Sequence, residues 1–423
     1  MNDQINGLTE FLQNIEISSK LQEMLVSIIK CQDTEISEKL EEFFAFLKEI
    51  NISNNLPVYE ALLYSLSQFF MRFNTFTFKK GNTLQQNNYS ILYTVLSELE
   101  SSFSLKTIPQ SMLFCIFRDN DILLLYLYKK GILPFSFLRI KYSLEYPHFT
   151  TLSFFHHEFV QNAKSFYNQQ IKKINSLGKL PTINLSTREN LHSNDKISQI
   201  IRNDDIDSFL QWVARFGDFE KCINDSVDAL FLDFNSKYKE SSMYWRQITL
   251  LDYSILYESV NIFKYLYMNH AKLSRETLLY SIVGGNDSIF SILEEGLKID
   301  HQMCDKFLTT AIFYQQTIFI EYFLNMKIDH QQTIQEIFST FNKTYNFTYL
   351  AQYIKMLKEN INISEYCKEI LENNLTAHYL FDYFLLQQKN FDINSKNKIK
   401  QIIYGYFGFV KGISQILIIH SFI

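Results

Sequence analysis

The sequence predicts an all-α fold built as a solenoid of stacked antiparallel helix pairs. Three observations carry that expectation. Residues 249–329 repeat one unit three times: a short apolar helix pattern, a polar turn, a second apolar helix pattern and a loop. Glycine and proline are scarce, 11 and 5 in 423 residues, whereas sandwiches and barrels need many turns rich in both. Apolar side chains recur at spacings of three and four from the N-terminus onward, which is the period of one helix face.

The bulk properties bound the rest. A chain of 423 residues exceeds one compact core and implies two domains or one extended solenoid. At 47% hydrophobic and 16% aromatic there is ample side chain to bury, so global disorder is excluded. The net charge is −5 with both signs interspersed, and no basic stripe of the kind that tracks a phosphate backbone is present, so no nucleic acid is expected as partner. Cys31, Cys115, Cys222, Cys304 and Cys367 form no CxxC pair and no ligand spacing with histidine; they read as small core residues in a reducing compartment. The start, MNDQINGLTEFL, lacks a basic patch followed by an apolar core, so no secretory signal is expected and the chain is placed in the cytoplasm.

Taken in order, Leu21, Leu25, Ile28 and Ile29, then Ile36, Leu40, Phe43, Phe44 and Leu47, mark two amphipathic helices joined near Gln32-Asp33. Thr34 is the expected N-cap of the second. A helix over Val58–Phe73 follows Pro57, which suits a first turn. Lys79–Asn82 reads as a turn and Tyr89–Leu99 as another helix. Residues 110–133 form a helix pair turning at Arg118–Asp121 and closing at Gly131, a place where lack of a Cβ removes the cost of a left-handed C-cap. Aromatic-rich helices run through Phe135–Lys173. Residues 176–196 break the pattern and divide an N-terminal helical region, 1–175, from a repeat region, 197–423. Ile197–Val213 is another pair, turning at Asn203–Asp205, and an insert of irregular pattern spans 214–248.

Within the array, Tyr253-Ser254-Ile255, Tyr280-Ser281-Ile282 and Thr310-Ala311-Ile312 align, at offsets of 27 and 30 residues. Ile262/Phe263, Ile289/Phe290 and Phe319/Ile320 then align in the second helices. Units of that length cannot bury their apolar faces alone and must stack. On these residues the chain resembles the ankyrin-repeat family, and more closely the degenerate ankyrin domain of large protozoan families: Thr249-Leu250-Leu251-Asp252-Tyr253-Ser254 stands in the first-helix place, Ile262-Phe263-Lys264-Tyr265-Leu266 in the second, and Thr277-Leu278-Leu279 with Gly284-Gly285-Asn286 repeats the pattern. It departs from the family where Leu250 and Leu278 replace proline and where Glu258 and Gln315 replace the turn glycine. Offsets below the usual ~33 imply that the hairpins between repeats are short or missing.

No GxxxxGK[ST], HExxH or GxSxG motif occurs, and no GxGxxG follows a strand. His156-His157-Glu158 lacks a third ligand at a useful spacing, and Asp204-Asp205-Asp207 lacks the alternating oxygen donors and distant glutamate of a calcium loop. No catalytic residue, metal or cofactor is therefore expected, and the chain reads as a non-enzymatic scaffold or adaptor for an unidentified protein. The resemblance implies a concave face lined by first helices and rimmed by loops. Tyr257 and Tyr314, ending two first helices, and Glu258 and Gln315, at the turns, are the expected partner-binding residues, since tyrosine is favoured as an interface anchor. The alternative is a membrane-associated protein held by the apolar segment 402–423, which reads otherwise as a terminal repeat.

Overall fold

The computed structural model describes residues 2–31, 33–72, 87–144, 149–175, 195–228, 247–273, 276–295, 299, 301–326 and 334–357. Nearly all of 176–196, the turn at Lys79–Asn82, much of the insert (229–246), and everything after Leu357, including 402–423, lie outside the described residues. Among the described residues the fold is all-α apart from two three-residue strands, and no helix is long and apolar enough to cross a membrane.

The chain divides into two compact units. The first comprises Met1–Gln68, Ser90–Phe117 and Ile328–Ile423; the second comprises Phe69–Tyr89 and Arg118–Lys327. Unlike a division at 176–196, this grouping follows packing and places both ends of the chain in one unit. A composition break marks a loop; it does not say which helices cover one another.

In the first unit, α1 (Asn2–Lys30) and α2 (Ile36–Glu49) are joined by a 3-10 turn at Asp33–Glu35. That turn carries Thr34, so the N-cap is Glu35, without a side-chain hydrogen bond, and Thr34 does not cap. Helices α3 (Leu56–Arg72), α4 (Asn87–Ser102) and α5 (Gln110–Phe117) follow. The face of α1 carrying Phe11, Ile15, Leu21, Leu25 and Ile28 is buried. Its most extensive packing is against α20 (Phe347–Leu357), which pairs with α19 (Ile334–Thr344). The polar centre of this contact is Gln22, wholly buried. Its Nε2 donates to the Tyr345 carbonyl at 3.0 Å and to Ser65 Oγ at 3.3 Å, while its Oε1 accepts from the Thr348 N–H at 3.2 Å. The Tyr64 and Tyr345 rings stack beside it, centroids 4.7 Å apart.

The second unit opens with α6 (Asp121–Lys129), capped by Asn120, whose side chain accepts from the Leu123 N–H. Gly131 has φ +67, and Gly131 N–H and Ile132 N–H donate to the carbonyls of Tyr128 and Leu127, the pattern of a left-handed C-cap. Then come α7 (Phe135–Leu144), α8 (Phe149–Phe154) and α9 (His156–Asn175), the last broken at Ala163. Lys141 of α7 is buried; its Nζ donates to the Arg118 carbonyl at 2.6 Å and pairs with Asp121 Oδ1 at 2.9 Å.

The array follows: α10 (Lys196–Arg202), α11 (Ile206–Val213), α12 (Phe219–Ile223), β1 (Ser226–Asp228), β2 (Gln247–Thr249), α13 (Leu250–Leu256), α14 (Val260–Met268), α15 (Thr277–Gly284), α16 (Asp287–Glu294), α17 (His301–Phe313) and α18 (Thr317–Met326). The strands pair antiparallel, Val227 opposite Ile248, immediately before α13. A hairpin ladder is thus present at this junction, where the repeat offsets predict a short or missing loop. The first helices α10, α13, α15 and α17 pack side by side in sequence order. Every residue of α13 and α15 is buried. The second helices are amphipathic and bury one stripe, Ile262, Phe263 and Leu266 in α14 and Ile289, Phe290 and Leu293 in α16.

Candidate interaction surface

The four helix–turn–helix junctions of the array share one backbone form. Each first helix ends in a residue with left-handed φ: Asp204 (48°), Glu258 (53°), Gly285 (79°) and Gln315 (53°). At three of them the left-handed N–H and the next N–H donate back to the last turn: Asp204 and Asp205 to the carbonyls of Ile201 and Ile200, Glu258 and Ser259 to Ile255 and Ser254, and Gln315 and Gln316 to Ile312 and Ala311. This satisfies carbonyls that a helix end would otherwise leave open. Glu258 and Gln315 therefore occupy the backbone place of the turn glycine, as their alignment predicts, at a steric cost that glycine avoids.

Neighbouring turns are tied to one another. The Asp204 carboxylate reaches the next pair, accepting from the Asn261 and Ile262 N–H groups at 3.0 Å each and from Asn261 Nδ2 at 2.7 Å. It acts as the cap of α14, because the local N-cap residue, Ser259, turns its hydroxyl to the Ile201 carbonyl instead. One junction on, Thr277 Oγ1 donates to Asp252 Oδ1 at 2.7 Å, with both side chains buried. Arg202 Nη1 donates to Tyr253 Oη at 2.8 Å. Gly284 is required by close approach: a Cβ there would lie 2.6 Å from the Ile255 carbonyl oxygen. Gly285 abuts the Gln316 side-chain amide. Replacing Asp204 with alanine is expected to cost about 1 kcal/mol, the usual worth of an N-cap. Asp204→Asn, which keeps an acceptor oxygen, should recover most of it, read from urea midpoints.

The expected partner-binding residues fall on both sides of the surface. Tyr257 and Tyr314 are 2% and 5% exposed, and their rings pack on Tyr253 and Phe313. They cannot serve as anchors for a partner, because aromatic side chains ending a fully buried helix are covered within the unit. Gln315 is also buried, and its Nε2 has no hydrogen-bond partner among the described residues. Gln315→Gly should stabilise the chain by about 1 kcal/mol, since it removes both the left-handed cost and an unpaired buried amide; a rise in melting temperature checks this. Only Glu258 of the four is exposed. The burial of α13 and α15 likewise leaves first helices no free face to line a concave site.

What the turns do expose is carboxylate. Asp205, Asp207, Glu258 and Asp287 are exposed and Asp204 is half-buried, all at or beside second-helix N-termini, whose dipole favours negative charge. Asp205 caps α11, and hydrogen bonds from Ser208 hold its carboxyl below the usual carboxylate range. Elsewhere in the array, burial and a hydrogen bond to Glu294 push the Tyr322 hydroxyl up to about 12, and burial followed by the charge of Asp225 pushes the Cys222 thiol up to about 11. These last two are packing effects away from the turns.

No protein-family model, curated protein or solved structure matches the chain. The role of Asp204 is not visible in the sequence: its carboxylate reads there as belonging to its own turn, yet it acts across 57 residues.

Proposed function

We propose that the chain is a non-enzymatic protein–protein interaction module, a scaffold or adaptor whose array is a degenerate ankyrin-like solenoid of stacked helix pairs. The observation that carries this reading is the set of hydrogen bonds linking one turn to the next, Asp204 to α14 and Ser259 to Ile201. Such links hold successive turns in fixed register and make them a preorganised edge, which lowers the ordering cost of binding. The partner meets this edge, formed by the loops and not by the first helices. Its exposed carboxylates at Asp207, Glu258 and Asp287 favour a basic segment and would speed its encounter.

Affinity capture from the source cell with mass spectrometry tests the assignment. The full chain is compared with a charge-reversed edge variant, Asp207→Lys/Glu258→Lys/Asp287→Lys, and with Met268→Lys on the outer face of α14. Loss of at least tenfold of a specific partner with the edge variant, and retention with Met268→Lys, is the expected result. Equal recovery by a folded edge variant rejects the turn edge as the binding surface.

A further inference from the structure

Helix α9 contradicts its own sequence. HHEFVQNAKSFYNQQIKKIN contains no proline or glycine, and the residue at the break, Ala163, is the best helix former of all. Yet Ala163 has φ −152° and ψ 50°, which no helix contains. Sharp breaks arise at proline, at glycine or serine, at π-bulges, or where a side chain enters the helical ladder. Here only the last applies: Asn162 Nδ2 donates to the Glu158 carbonyl at 2.8 Å and to Tyr128 Oη at 2.9 Å.

The two halves are clasped across the break. His156 Nδ1 and Tyr167 Oη are hydrogen-bonded at 2.7 Å. In a straight helix residues eleven apart are separated by about 16 Å along the axis, so this bond exists only because the chain folds back. Phe166 completes the clasp: its ring stacks near Phe159 at 6.0 Å, meets Tyr142 edge-on at 5.3 Å and carries the Arg139 guanidinium over its face. Tertiary contacts thus hold bent a segment whose local preference is straight.

We propose that α9 is a bistable hinge. In the bent state it is held by the His156–Tyr167 bond and the Phe166 ring. On release of that clasp it becomes one continuous helix over 156–175, and the faces of Tyr142 and Phe159 that Phe166 covers are uncovered. The Ala163 backbone is the hinge, Asn162 its latch, and a conflict between local and tertiary preference supplies two states of similar free energy.

The test is a distance distribution in the full chain, with genetically encoded spin labels at the exposed positions His157 and Lys172. The straight form places them about 22 Å apart along the helix, and the bent form holds them closer. Wild type should show the short distance as its main population. Tyr167→Phe, which deletes one oxygen, should enlarge the long-distance fraction about three- to tenfold. Phe166→Ala/Tyr167→Phe should make it the major one. Adding Ala163→Gly to that pair should shift the balance back about fivefold, because glycine weakens the straight helix. A long distance dominating in wild type, or a short distance unmoved in Tyr167→Phe and in the folded double variant, overturns the proposal.

Discussion

Replacing Lys141 with alanine is expected to lower the unfolding free energy by about 3–5 kcal/mol, the range for breaking a buried ion pair from one side. The Lys141 side chain is 7% exposed and that of Asp121 is 17% exposed, so the pair sits largely out of water. Removing the ammonium leaves the Asp121 carboxylate beside a vacated site and takes the donor from the Arg118 carbonyl. A buried charge without its partner cannot recover its hydration, so the loss exceeds the net worth of the ion pair. The same reasoning predicts strong non-additivity. Lys141→Met/Asp121→Asn, which removes both charges and keeps volume, should be far less damaging than Lys141→Ala alone. Urea denaturation of the three variants measures this. A Lys141→Ala cost below about 1 kcal/mol, the range of exposed pairs, would place the ammonium in solvent.

The second large effect is at Gln22. Gln22→Ala removes the acceptor of the Thr348 N–H and the donors to the Tyr345 carbonyl and Ser65, all in the contact between α1 and α20. The Thr348 N–H lies in the first turn of α20, where no helical carbonyl can take it. The expected cost is about 3 kcal/mol, combining unpaired polar groups with the cavity left behind. Hydrogen exchange should show it in two separate stretches, α1 and 345–350, which are joined only by folding. Loss of protection confined to α1 would mean that Gln22 is not the link between the ends of the chain.

The helices and their turns are legible in the sequence because both leave local signals. The offsets of 27 and 30 residues place Glu258 and Gln315 at the turn glycine position, and both have positive φ. Gly131 and Gly284-Gly285 are legible for the same reason. What cannot be read is which element covers which. Tyrosine at the end of a short apolar helix is equally an anchor or a core residue until its neighbours are known, and Tyr257 and Tyr314 are core. The α1 pattern shows an apolar stripe but carries nothing to indicate that α20, more than 300 residues away, lies against it. Asp204 has the same limitation: a carboxylate beside its own helix start gives no local sign that it caps another. The break at Ala163 runs against local propensity and so is invisible to it. These cases share a cause. Periodicity reports the chemistry of one face, whereas partner choice is a property of the assembled unit.

For the proposed function the legible part is the frame and the missing part is the surface. The frame rests on buried first helices and turn-to-turn hydrogen bonds. The surface is what remains exposed once those are assembled, chiefly the acidic turn edge and the outer faces of the second helices. Exposed Met268 and Met326 lie on those outer faces and supply the natural comparison.

Site-directed photo-crosslinking separates the two surfaces most directly. A photoreactive residue is placed in the full chain at Glu258 or Asp287 on the turn edge, or at Met268 or Met326 on the second helices, and irradiated in the source cell. The account predicts one specific protein adduct shared by the two edge positions and absent from the two outer-helix positions. A specific adduct formed only at Met268 and Met326 would contradict it.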